Sequence, residues 1–75
     1  MNSKDKDVRM VTVQLDGQPH EVRSGTTLAQ LVQALGHDPQ AVSTAVNGSF
    51  VARAARDRVL DPNDVVLLFQ PVVGG

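Results

Sequence analysis

The chain has 75 residues, 41% of them hydrophobic and 20% charged, with a formal net charge of −1. That describes one small globular domain, with no room for a cleft between two lobes, which argues against a self-sufficient enzyme. The near-neutral charge, the lack of Trp and Tyr, and the absence of Cys argue against phosphate-neutralising or base-stacking nucleic-acid binding and exclude disulfides and thiolate metal sites.

Residues 1–7 are polar with mixed charges and offer nothing to bury, so a disordered leader is expected there. From Arg9 to Leu15 the pattern alternates. Val11, Val13 and Leu15 fall on one side and Met10, Thr12 and Gln14 on the other, as in a half-buried strand. Asp16-Gly17 is a two-residue hairpin signal. A returning strand over about Gln18 to Arg23 follows, with Val22 inward and Pro19 marking an edge strand. Ser24-Gly25 breaks the pattern. Thr27 and Gln30 then form a capping-box signature, and Leu28, Leu31, Val32 and Leu35 make one apolar stripe, which predicts a helix over Leu28 to Leu35. Gly36 suits the left-handed position after its end, and Pro39 prevents resumption.

A short strand at Thr44-Ala45-Val46 turns at Asn47-Gly48 into Phe50-Val51. Ala52 to Arg58 can supply one helical turn. Asp61-Pro62-Asn63-Asp64 is a turn cluster, and a last strand runs from Val65 to about Gln70. Pro71 through Gly75 trails off. No apolar run approaches the roughly 20 residues of a membrane span. Lys4 and Lys6 are not followed by the apolar stretch of a secretory signal, so a cytoplasmic location is expected. His20 and His37 read as surface residues, with no metal site.

The order is β-β-α-β-β-turn-β. One helix covers one sheet face only, which gives an α+β fold: a mixed sheet of four to five strands with one main helix packed on one face. The last strand belongs beside the first, since these two are the most apolar. That is the β-grasp, ubiquitin-like arrangement. The expected organisation is a leader (1–7), the β-grasp domain (8–70) and a flexible Gly-Gly tail (71–75).

Two features stand out as candidate function. The last strand, Val65-Val66-Leu67-Leu68-Phe69, is apolar on both faces, more than one covered face requires. The set taken as left over, Val65, Leu67 and Phe69, suggests an exposed patch for a partner, with Phe69 as anchor; a one-residue slip would put Val66 and Leu68 there instead. The second feature is the tail. Pro71 and the β-branched Val72 and Val73 favour an extended exit, spanning at most about 17 Å to the end. Gly74 and Gly75 carry no Cβ, so the terminal carboxylate can enter a narrow channel. Asp61 and Asp64 read as solvated turn residues. Arg53, Arg56 and Arg58 read as a solvated face, with a docking patch for an acidic partner as the alternative. No nucleophile triad, carboxylate pair or phosphate loop is apparent.

The span Val46-Asn47-Gly48, Val51-Ala52-Arg53 and Asp64 through Gly75 resembles the ThiS-type sulfur carriers of thiamine biosynthesis. Shared are the Asn-Gly turn, the Val-x-Arg after it, the acidic turn before the last strand and the Gly-Gly end; Thr27-Leu28 opening a Leu-rich helix also fits. The chain departs from the usual pattern at Ala52, where Pro is common, and in 54–58, which lacks an aromatic. The resemblance implies a protein carrier rather than an enzyme. A ubiquitin-activating-like adenylyltransferase would use ATP to adenylate Gly75, with no cofactor bound by this chain. A sulfur donor protein would convert the adenylate to a thiocarboxylate, and a thiazole synthase would receive the sulfur. Gly74, Val73 and Val72 would thread into the partner, and Phe69, Leu67, Val65 and Arg53 would contact it. No nucleic acid and no membrane is implied. Phe69-Gln70-Pro71-Val72 also resembles the small subunit of molybdopterin synthase, which implies the same chemistry with another acceptor. A ubiquitin-like interaction module without chemistry is the remaining alternative.

Overall fold

Two Gly-containing turns organise the sheet. The computed structural model describes residues 9–70, so the expected leader and tail lie outside the described residues. Strand β1 (Met10–Leu15) turns through Asp16-Gly17 into β2 (Gln18–Arg23), and β3 (Ser43–Val46) turns through Asn47-Gly48 into β4 (Ser49–Val51). All four turn residues have positive φ, between 51° and 85°, the geometry that matches the twist of paired strands and that Asn, Asp and Gly tolerate best.

Helix α1 (Leu28–Ala34) lies between the hairpins. The Thr27 side chain accepts from the Gln30 amide at 3.1 Å, and the Gln30 side chain accepts from the Thr27 amide at 2.9 Å, so the sequence-predicted capping box is present. The helix ends one residue earlier than its stripe suggested. Leu35 is the cap residue and sits partly in solvent, while Gly36 takes φ +81°. The His37 amide donates to the Val32 carbonyl and the Gly36 amide to that of Gln33, the paired bonds of a Schellman end.

Strand β5 (Val65–Phe69) completes a five-stranded sheet of order β2-β1-β5-β3-β4. It runs parallel to β1 and antiparallel to β3, as expected for a last strand placed beside the first. The five-stranded mixed sheet with one helix is the β-grasp arrangement expected from the sequence. The core lies between helix and sheet: Leu28 and Leu31 from α1, Val13, Val22, Val46, Val51 and Val66 from the strands, and Leu60 from the connection before β5. A single turn of 3-10 helix, Arg53–Ala55, fills the expected helical turn after β4.

Two expectations about charged residues are overturned. Arg56 is not on a solvated face. It is buried, donating from Nε to Thr44 Oγ1, from Nη1 to the Pro39 carbonyl and from Nη2 to the Val42 carbonyl. Asp64 is not a solvated turn residue either. It is buried, and its carboxylate accepts from Asn47 Nδ2 at 3.0 Å and from the Asp61 amide at 2.8 Å. Both burials follow from polar satisfaction: each side chain collects orphan backbone or amide partners that a loop would otherwise leave unmade.

Candidate functional site

The register of β5 decides which of its apolar residues meet the core, and polar contacts fix that register at both ends. At its start, the Val65 amide donates to Asn47 Oδ1 at 2.8 Å, and the Asn47 amide donates to the Val65 carbonyl at 2.7 Å. Asn47 is in turn held by Asp64, which also lies 3.6 Å from the Arg58 guanidinium. At the other end, β1 turns away at Asp16, yet the Asp16 amide still donates to the Val66 carbonyl and its carboxylate accepts from the Leu68 amide at 3.1 Å. The Asp16 side chain thereby extends the ladder beyond the end of β1. A slip by one residue would break all of these bonds and invert both faces.

With that register, Val66 is fully buried and Leu68 half-buried under the helix, while Val65, Leu67 and Phe69 are 42%, 42% and 45% exposed. The sequence expectation for the open face is therefore correct among the described residues. Cross-strand pairing extends the patch. Leu67 lies opposite Ala45, which lies opposite Phe50 on β4, and Phe69 lies opposite Ser43. Directly opposed residues share a face, so Leu67, Ala45 and Phe50 form one row across three strands. Phe50 is the most exposed large apolar residue of the patch, at 68%. The sequence showed it only as part of a returning strand. Phe50-Val51 alone does not say which of the two points inward, and only the pairing with β3 does.

Arg53 does not join this row. It opens the 3-10 turn just after β4 and lines a cavity with Ala29, Val32, Gln33, Pro39 and Arg56, next to the helix. The structure thus brings Val65, Leu67 and Phe69 together and leaves Arg53 around the β4 edge. Val72, Val73, Gly74 and Gly75 lie outside the described residues. Among the described residues no three His, Asp or Glu side chains converge on a common point, and no helix is long and apolar enough to cross a membrane.

Among the described residues this arrangement leaves an apolar row of side chains in solvent on the sheet face opposite the helix. The strand that presents Phe69 ends there, six residues before Gly75 in the sequence.

Comparison with known proteins agrees with the architecture. The ThiS family model matches residues 10–75. No curated protein matches the chain. A crystal structure of a thiamine biosynthesis protein, ThiS, from Geobacter metallireducens is similar with a TM-score of 0.73 and 24% identity, covering 87% of this chain and 100% of that one. A solution NMR structure of a thiamine biosynthesis protein from the same organism gives a TM-score of 0.68 and 23% identity, covering 87% of this chain and 88% of that one. At these identities the likeness is one of fold.

Proposed function

The chain belongs to the ThiS family, and from that premise we propose that it is a sulfur carrier of thiamine biosynthesis whose working group is the carboxylate of Gly75. The observation that carries this reading is the family match, which runs through the whole sheet and on to Gly74-Gly75. The open face of β5 supports it, because its exposed apolar residues, Val65, Leu67 and Phe69, suit a docking surface and precede Gly75 by only a few residues in the sequence.

The chemistry follows from the weakness of a carboxylate as an electrophile at neutral pH. An adenylyltransferase of the ubiquitin-activating type binds ATP, and this chain binds no cofactor. A Gly75 oxygen attacks the α-phosphorus, pyrophosphate leaves, and a mixed acyl–phosphate anhydride remains. A sulfide-level donor then attacks the acyl carbon and AMP departs, leaving a thiocarboxylate. That sulfur is a thiolate-type nucleophile, a kind that the chain, having no Cys, does not otherwise possess. A thiazole synthase accepts it. In this scheme the chain is a co-substrate and its contributions are positional. Phe69, Leu67 and Val65 seat the partner, with Phe50 beside them. Gly74, Val73 and Val72 pass through the partner's channel, where a Cβ at Gly74 would obstruct close approach to the nucleotide.

The test is mass spectrometry of the chain after incubation with the activating enzyme, ATP and a sulfide source. The expected product shows the mass gain of one sulfur replacing one oxygen at Gly75. Deleting Gly75, or extending the chain by one residue after it, should abolish that product without moving the thermal midpoint. Full conversion of the extended chain would sink the carrier reading.

A further inference from the structure

The cavity beside Arg53 has an unusual charge balance. It encloses about 320 Å³ and is lined by Ala29, Val32, Gln33, Pro39, Arg53 and Arg56. Its walls are mostly apolar, its formal charge comes from two guanidinium groups, and no acidic side chain lines it. Arg56 is only 5% exposed, and its three hydrogen-bond partners are a hydroxyl and two carbonyls, all neutral. A guanidinium carries five N–H groups; Nη1 and Nη2 each donate once here and each retain a second. Neither Arg53 nor Arg56 lies within ion-pair distance of a carboxylate among the described residues, where the close pair is Arg58 with Asp64. The nearby Asp38 carboxylate is engaged by the Gln40 amide, and Asp57 is exposed. Burial of a cation among neutral dipoles satisfies its hydrogen bonds in part and leaves its charge without a counterion.

We propose that this cavity receives one carboxylate on a short apolar stem, namely a glutamate side chain of the protein that docks on the open sheet face. The stem matches Ala29, Val32 and Pro39, and the carboxylate matches Arg53 together with the remaining N–H groups of Arg56. A side chain presented by a docked protein fits better than a free acid, for a reason of position. β4 is the edge of the sheet, Phe50 is its exposed aromatic, and Arg53 follows it three residues later. A protein that covers Phe50 and wraps that edge would meet Arg53. The carboxylate chemistry stands on the cavity alone, whereas the owner of the carboxylate rests on the docking reading above.

Sodium butyrate is a glutamate stem without its backbone, and NMR of the labelled chain is the direct probe. Butyrate should give saturable shifts at the Arg53 and Arg56 Nε–H groups and at the Ala29 and Gln33 amides. Butanol, and sodium chloride at equal ionic strength, should not. Arg53 is exposed, so Arg53→Gln should fold normally and weaken butyrate binding roughly three- to fivefold. Shifts that never saturate, or that butanol reproduces, overturn the carboxylate site. In the second arm, Arg53→Gln should weaken binding to the activating enzyme by a similar factor and reduce its salt dependence. Butyrate saturation with an unaltered enzyme complex overturns the assignment of the glutamate to that partner. A wild-type chain that saturates with butyrate yet never binds the enzyme separates the cases, because it removes the docking reading and supports the cavity's chemistry.

Discussion

Val65 and Val66 are the same side chain one residue apart, and the sheet gives them opposite surroundings. Val66 faces Leu28, Leu31 and Val46 in the core and is fully buried; Val65 faces outward with Leu67 and Phe69. Composition cannot distinguish the two faces of β5, since both are apolar throughout. What separates them is the single helix, which covers one side, and the register that chooses which residues it covers. The inner face contributes stability, and the outer face keeps its apolar side chains in solvent, where a recognition role is proposed for them.

The sharpest way to break this comparison is to place the same charge on each face. Val66→Asp buries an unpaired carboxylate and should cost about 4 kcal/mol or more, enough to unfold a domain this small. Val65→Asp should stay within about 1 kcal/mol of the parent chain. Thermal unfolding followed by circular dichroism reads both, and similar midpoints for the pair would contradict the assigned register.

The clamp that sets the register can be loosened at its start. Asp64→Ala removes the acceptor for Asn47 Nδ2 and the Asp61 amide and should cost about 2 kcal/mol, the desolvation penalty of the donors left behind. Hydrogen exchange at the Val65 amide should accelerate with it. Unchanged exchange there would mean that Asn47 holds the strand without help.

On the outer face, Phe69→Ala should weaken binding to the activating enzyme by about 2 kcal/mol, as for an interface anchor, while stability moves by no more than about 0.5 kcal/mol. A loss of folding stability with binding intact would place Phe69 in the core. The smallest effect is expected at Asp16, whose carboxylate accepts one exposed backbone bond from Leu68. Asp16→Gly, which keeps the positive φ that residue 16 adopts, should cost about 1 kcal/mol and show chiefly as faster exchange of the Leu68 amide.

Much of the fold was legible in the sequence because its signals are local. Asp16-Gly17 and Asn47-Gly48 announce turns whose positive φ few other residues accept, and Thr27 with Gln30 caps a helix through bonds three residues apart. The stripe Leu28, Leu31 and Val32 names its own buried face; its last member, Leu35, falls at the cap because Gly36 ends the helix there. The excess of apolar residues on β5 is likewise a fact of the sequence, and with one helix available it already implies an open face.

Tertiary structure alone decided the rest, since the deciding contacts join residues far apart in the chain. Phe50 entered the patch only through its pairing with Ala45, and so indirectly with Leu67. Arg56 and Asp64 look like surface charges among other polar residues. They are buried because Pro39, Val42 and Thr44 supply acceptors to the one, and Asn47 and Asp61 supply donors to the other. Periodicity reports which face of an element is apolar; it carries no information about which distant backbone group will need a partner. That need is settled only when the loops close, and here it buried Arg56 beside the cavity that Arg53 helps to line.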